Sequence, residues 1–118
     1  MGLHKVRFTV SSEFPGEFEQ MLMLVILQLG DDAYGARIRE RLIEDVGREP
    51  SAGALYTTLK RLETKGYVSA REGDSGADRA GRPRRYYRPT EAGTASLRRS
   101  RAALLQLWAP VATTLDKA

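Results

Sequence analysis

Cysteine is absent and histidine occurs once, at His4. Zinc fingers, iron–sulfur ligation, disulfide staples and cysteine nucleophiles are therefore excluded, and no metal or cofactor is expected. The longest apolar run, Met21 to Leu27, falls well short of the roughly 18 to 20 residues of a membrane span. No membrane partner is expected. The first residues lack the apolar segment of a signal peptide, and Val6 stands where a myristoylation motif requires Ser or Thr. A cytoplasmic location is the expectation. The chain also lacks a GxxxxGK phosphate loop, a nucleophile paired with a base and a cluster of metal ligands, so it is not expected to be an enzyme.

What remains is a chain of 118 residues, 42% of them hydrophobic, enough for one domain with one modest core. Its formal charge of +4 favours a polyanionic partner without selecting one. Placement says more. Arg79, Arg82, Arg84, Arg85 and Arg88 fall within one stretch that contains no acid, so that stretch carries the whole basic excess.

Residues 1–16 alternate at Val6, Phe8 and Val10 and then reach Ser11, Ser12, Pro15 and Gly16, which reads as an arm. From Glu17, apolar residues recur at helical spacing through Phe18, Leu22, Val25 and Leu29, with Met23, Leu24 and Leu27 filling the remaining faces. Such a helix is expected to be buried centrally. Gly30 stops it. Asp31 or Asp32 is expected to cap a second helix striped by Tyr34, Ile38 and Leu42, which Gly47 and Pro50 close.

Ser51 is an N-cap for a third helix whose inward face is Leu55, Leu59 and Leu62, and Gly66 follows its end. Its other face carries Tyr56, Thr57, Lys60, Arg61 and Thr64. Residues 67–72 and 84–88 then read as two short strands, and Thr90 caps a last helix that Pro110 should kink or end. Three helices, a two-stranded ribbon and a trailing helix predict a mainly α fold with a small β-hairpin (α+β). This is a winged helix-turn-helix, whose third helix fits a major groove.

Three segments resemble the PadR family of bacterial transcriptional regulators: AYGARIRERL (Ala33 to Leu42), SAGALYTTLKRLETKGYV (Ser51 to Val68) and GRPRRYYRPTEAG (Gly81 to Gly93). They occur in the family's order, and the resemblance runs from Phe18 to about Arg99. It implies that the second segment is the recognition helix leading into the wing, and that the third is the returning wing strand with the start of a dimerisation helix. Thr57 departs from the proline common in the family, and Pro89 from an apolar strand residue. The end of the chain soon after Trp108 matches the short type with a single C-terminal helix.

The expected organisation is an N-terminal arm (1–16), a winged helix-turn-helix domain (17–89) and a C-terminal dimerisation helix (90–118). DNA contacts are expected from Ser51, Ala52, Gly53, Tyr56, Thr57, Lys60 and Arg61 of the recognition helix and from Arg79, Arg82, Arg84 and Arg85 of the wing. The guanidinium groups suit phosphates, and five cations without an acid would otherwise repel one another. A dimer interface is expected at Leu97, Leu104, Leu105, Trp108 and Val111, because so small a core leaves that stripe without a partner. The resulting expectation is a homodimeric transcriptional repressor on double-stranded DNA with a palindromic operator. A small hydrophobic or aromatic effector, if one acts, belongs near Trp108. The rival reading is a winged helix used for protein–protein interaction without DNA binding, and salt-dependent binding to random duplex separates the two.

Overall fold

The computed structural model describes residues 14–73 and 83–116. Helix α1 (Glu17–Leu29) opens where the Gly16 N–H donates to Glu19 Oε1 at 3.1 Å, a side chain reaching back to an otherwise orphaned amide. Gly30, with φ 61°, ends it in a 3₁₀ turn through Asp32. Helix α2 (Gly35–Val46) follows directly, with Tyr34 as its N-cap and no side-chain cap bond. The expected cap at Asp31 or Asp32 is thus corrected. The 3₁₀ turn uses both aspartates, and Ala33 and Tyr34 intervene before the helix begins. Gly47 closes α2 in the left-handed region at φ 66°, where glycine carries no Cβ penalty.

Helix α3 (Ala52–Thr64) is capped by Ser51, whose hydroxyl accepts from the Ala54 N–H at 3.0 Å. Gly66 lies past its end at φ 81°, and the Tyr67 N–H returns to the Leu62 carbonyl at 2.9 Å. That closure throws the chain into strand β1 (Val68–Glu72), which pairs antiparallel with β2 (Arg85–Pro89) in the register Val68 to Pro89 through Glu72 to Arg85. Helix α4 (Glu91–Trp108) begins at Thr90, whose hydroxyl accepts from the Gly93 N–H and donates to the Gly66 carbonyl at 2.6 Å. Pro110 sits in a 3₁₀ turn (Ala109–Val111) that separates α4 from a final turn of helix, α5 (Ala112–Asp116).

The core gathers Leu22, Met23 and Ile26 of α1, Ile38 and Leu42 of α2, and Leu55, Leu59 and Leu62 of α3 beneath Val68, Tyr87 and Leu97. Helix α1 is the centre of this packing, yet not on all sides. Leu24 and Leu27 remain 47% and 44% exposed, which corrects the expectation of full burial. They face the C-terminal helix across an open groove instead of entering the core. Among the described residues, no helix is long and apolar enough to cross a membrane, and no cluster of His, Cys, Asp and Glu could hold a metal ion.

Candidate nucleic-acid interface

Helix α3 turns Leu55, Thr58, Leu59 and Leu62 inward, and Thr58 settles its hydroxyl on the Ala54 carbonyl at 2.8 Å. The residues between them face solvent. Ser51, Ala52 and Gly53 form an exposed first turn, and Tyr56, Thr57, Lys60 and Arg61 continue the ridge. Lys60 makes no ion pair among the described residues. Arg61 stands 3.9 Å from Glu19, a buried carboxylate that also takes Lys65 Nζ at 3.1 and 3.2 Å. The end of α3 is thereby fixed against the start of α1.

The wing is joined to this ridge through the turn before α2. The Tyr87 N–H donates to the Ala33 carbonyl at 2.8 Å, and Tyr34 bridges to Tyr86. The Arg84 guanidinium lies 4.0 Å over the Tyr34 ring and Arg71 4.8 Å over Tyr86, each a cation on a π face. On the other side of Tyr34, the Tyr56 ring covers Gly35, where a Cβ would overlap the Tyr56 hydroxyl. These residues enclose a concave space of about 430 Å³ lined by Tyr34, Gly35, Tyr56, Pro83, Arg84 and Arg85. It joins the first turn of α2 to Arg84 and a tyrosine hydroxyl, donors suited to a phosphate, with Arg85 at its edge.

The arginine cluster differs from its reading as an unpaired group. Arg85 donates to Glu63 at 2.8 Å, Arg88 reaches Asp31 at 3.4 Å and Arg84 is stacked on Tyr34. Acids distant in sequence thus enter a stretch that contains none. The hydrogen bond to Glu63 holds the Arg85 guanidinium above its ordinary pKa, while burial pushes the Tyr87 phenol up and Arg85 opposes that rise. Arg79 and Arg82 lie outside the described residues. Glu63 and Tyr86 were not singled out from the sequence. Glu63 could have been, since it falls seven residues after Tyr56 on the same helical ridge.

Along the C-terminal helix and its extension, Leu104, Leu105, Leu107, Trp108, Val111 and Leu115 are between 43% and 73% exposed. Leu97, expected with them, is 8% exposed and belongs to the protomer's own core. The groove between α1 and α4, about 510 Å³, is walled by Leu24, Leu27, Leu104, Leu105 and Trp108, with Arg98 and Arg101 at its rim.

Residues 23–99 match the model of the transcriptional regulator PadR-like family. The chain belongs to that family. Among solved structures it is similar to a PadR family transcriptional regulator from Eggerthella lenta DSM 2243, with 28% identity over 100% of this chain and 99% of that one and a TM-score of 0.64. It is similar as well to a PadR-like transcription factor from Bacteroides fragilis, with 25% identity, coverage of 93% and 98% and a TM-score of 0.67. A PadR family regulator from Clostridium difficile R20291, at 24% identity, coverage of 85% and 96% and a TM-score of 0.61, shares the fold. No curated protein matches the chain in sequence. A PadR-family regulator acts by binding DNA, and this chain has the family's winged-helix fold.

Proposed function

We propose that this PadR-family chain is a repressor that binds a palindromic operator as a homodimer in the cytoplasm. The observation that carries the reading is the exposed apolar stripe of α4 and its extension. So many large apolar side chains on one helix mark an interface, and a two-fold dimer reads two half-sites. In this assignment residues 17–89 form the DNA-binding domain, 90–118 the dimerisation helix and 1–16 an arm. Ser51, Ala52 and Gly53 meet a phosphate, and Tyr56, Thr57, Lys60 and Arg61 meet the groove. Arg79, Arg82 and Arg84 take flanking phosphates, while Arg85, expected with them, is engaged by Glu63. Leu104, Leu105, Trp108 and Val111 close the dimer. A small hydrophobic or aromatic effector would enter the groove between α1 and α4, where Trp108 emission would report it.

The test is selection of binding sites from random duplexes together with sedimentation of the free protein. The expected result is a dimer that selects an inverted repeat with half-site centres about one DNA turn, roughly 34 Å, apart. A monomer selecting a single asymmetric site would overturn the reading.

A further inference from the structure

Tyr56, Lys60 and Glu63 fall at spacings of four and three along the exposed ridge of α3, so a carboxylate stands on the face assigned to DNA. Left free, it would repel the phosphate backbone. It is not free: Glu63 Oε2 accepts from the Arg85 guanidinium at 2.8 Å, and the Glu63 side chain is only 28% exposed. Arg85 begins strand β2, opposite Glu72 of β1. Two residues on, Tyr87 lies on the same face of the strand and is 5% exposed in the core. The strand therefore meets the recognition helix through the ion pair, and the Tyr87 hydroxyl, rooted in the core, bonds the same arginine from its own strand. Arg84, the preceding residue, is directed elsewhere, onto the Tyr34 ring.

We propose that Glu63 is a specificity-setting positioning residue, which holds the wing against the recognition helix through Arg85 and withholds that arginine from the DNA backbone. The inference rests on reading α3 and the wing as the DNA-contacting surfaces. A cation on a phosphate raises affinity for every sequence alike. Engaging Arg85 with Glu63 removes one such contact from binding to any sequence. It also fixes the distance between the helix that reads bases and the ribbon that sets its register. The first effect lowers affinity for all duplexes equally, and the second favours the matched site over random DNA, although neither residue touches a base.

The experiment compares the full-length wild type with Glu63→Gln, Arg85→Gln and the double variant, on a random-sequence duplex and on the duplex that the wild type selects, across a salt titration. Glu63→Gln keeps the side-chain shape and releases Arg85. Binding to random duplex should rise about five- to tenfold at 0.1 M salt, with the salt slope steeper by about 0.9, the value of one added phosphate contact. The added contact should raise affinity for the selected duplex less than for random duplex, because the wing is no longer held against the helix, so preference should fall about two- to fivefold. Arg85→Gln leaves the carboxylate unpaired and should weaken binding to both duplexes. In the double variant the pair is neutral again, so the wild-type slope should return while the preference stays reduced, because the link between wing and helix is still missing. A merely stabilising pair would leave slope and preference unchanged in Glu63→Gln, and that result would overturn the proposal, as would full preference in the double variant. Failure of the wild type to bind any duplex would instead overturn the reading of α3 and the wing, and the inference with it.

Discussion

The rings of Tyr34 and Tyr86 meet edge to face, with centroids 5.5 Å apart and planes at 66°, and they join the turn before α2 to the returning wing strand. Arg84 and Arg71 cover the outer faces of the two rings. An edge-to-face pair contributes about 0.5–1.5 kcal/mol and an exposed cation–π contact about 0.5–1 kcal/mol. Replacing Tyr86 with Ala removes the pair and one cation–π contact together. The expected loss is about 1–3 kcal/mol in urea unfolding, with weaker binding to all duplexes because the wing is no longer held beside α3. An unchanged unfolding midpoint would mean that the wing is held by its backbone pairing alone.

Much of this arrangement was legible in the chain itself. The Ser51 cap, the Leu55, Leu59 and Leu62 face and the terminal Gly66 all obey local rules that act within a few residues, and each stands where those rules place it. What could not be read depends on contacts between distant segments. The Arg85–Glu63 and Arg88–Asp31 pairs span 22 and 57 residues, so a stretch that holds only cations meets its acids through the fold. Leu97 and Leu105 lie on one helix with the same chemistry, and only the packing of distant elements against that helix leaves the first covered and the second exposed. Asp31 and Asp32 have the right chemistry for a cap but sit too early, because a 3₁₀ turn intervenes.

Two glycines make opposite predictions from similar geometry. A Cβ at Gly93 would run into the Tyr67 backbone carbonyl, whereas at Gly35 it would meet the end of the Tyr56 side chain. Backbone cannot yield cheaply, and a tyrosine ring can. Gly93→Ala should therefore cost more than about 2 kcal/mol, in the range of other overpacked sites. Gly35→Ala should change stability by less than about 1 kcal/mol, since alanine's helix propensity offsets part of the crowding. It should still weaken DNA binding by displacing Tyr56, and that loss should vanish when Tyr56 is already Ala. Thermal unfolding and duplex titration of Gly93→Ala, Gly35→Ala, Tyr56→Ala and the Gly35→Ala/Tyr56→Ala double variant check both statements.

Tyr87 gives the fold an alkaline limit. Burial is the main cause of its raised pKa, so the folded state resists losing the phenolic proton more than the unfolded chain does. With the folded pKa above the unfolded value near 10, the contribution is fully present below about pH 10 and is lost as the pH rises from there through the folded pKa. Urea midpoints measured between pH 8 and 11 should fall at the upper end for the wild type. In Tyr87→Phe that component should be absent, leaving a flatter profile; an identical decline in both proteins would assign the alkaline loss to other groups.

The C-terminal helix should divide into a half that builds the protomer and a half that builds the dimer. Leu97 is nearly covered within one chain, so Leu97→Ala should cost about 2–4 kcal/mol of stability through the cavity it leaves without directly removing a dimer contact. Leu105 and Trp108 are 60% and 50% exposed, so Leu105→Glu and Trp108→Glu should leave the helical circular dichroism of each protomer intact. A charge placed in an apolar interface would remain unpaired after association, at a cost of several kcal/mol. Sedimentation should then show monomer. Because a monomer holds one half-site, affinity for an inverted repeat should fall far more than affinity for random duplex, which depends on phosphates each protomer contacts alone. If both charged variants sediment as dimers, the stripe serves another partner and the two chains associate through a different face.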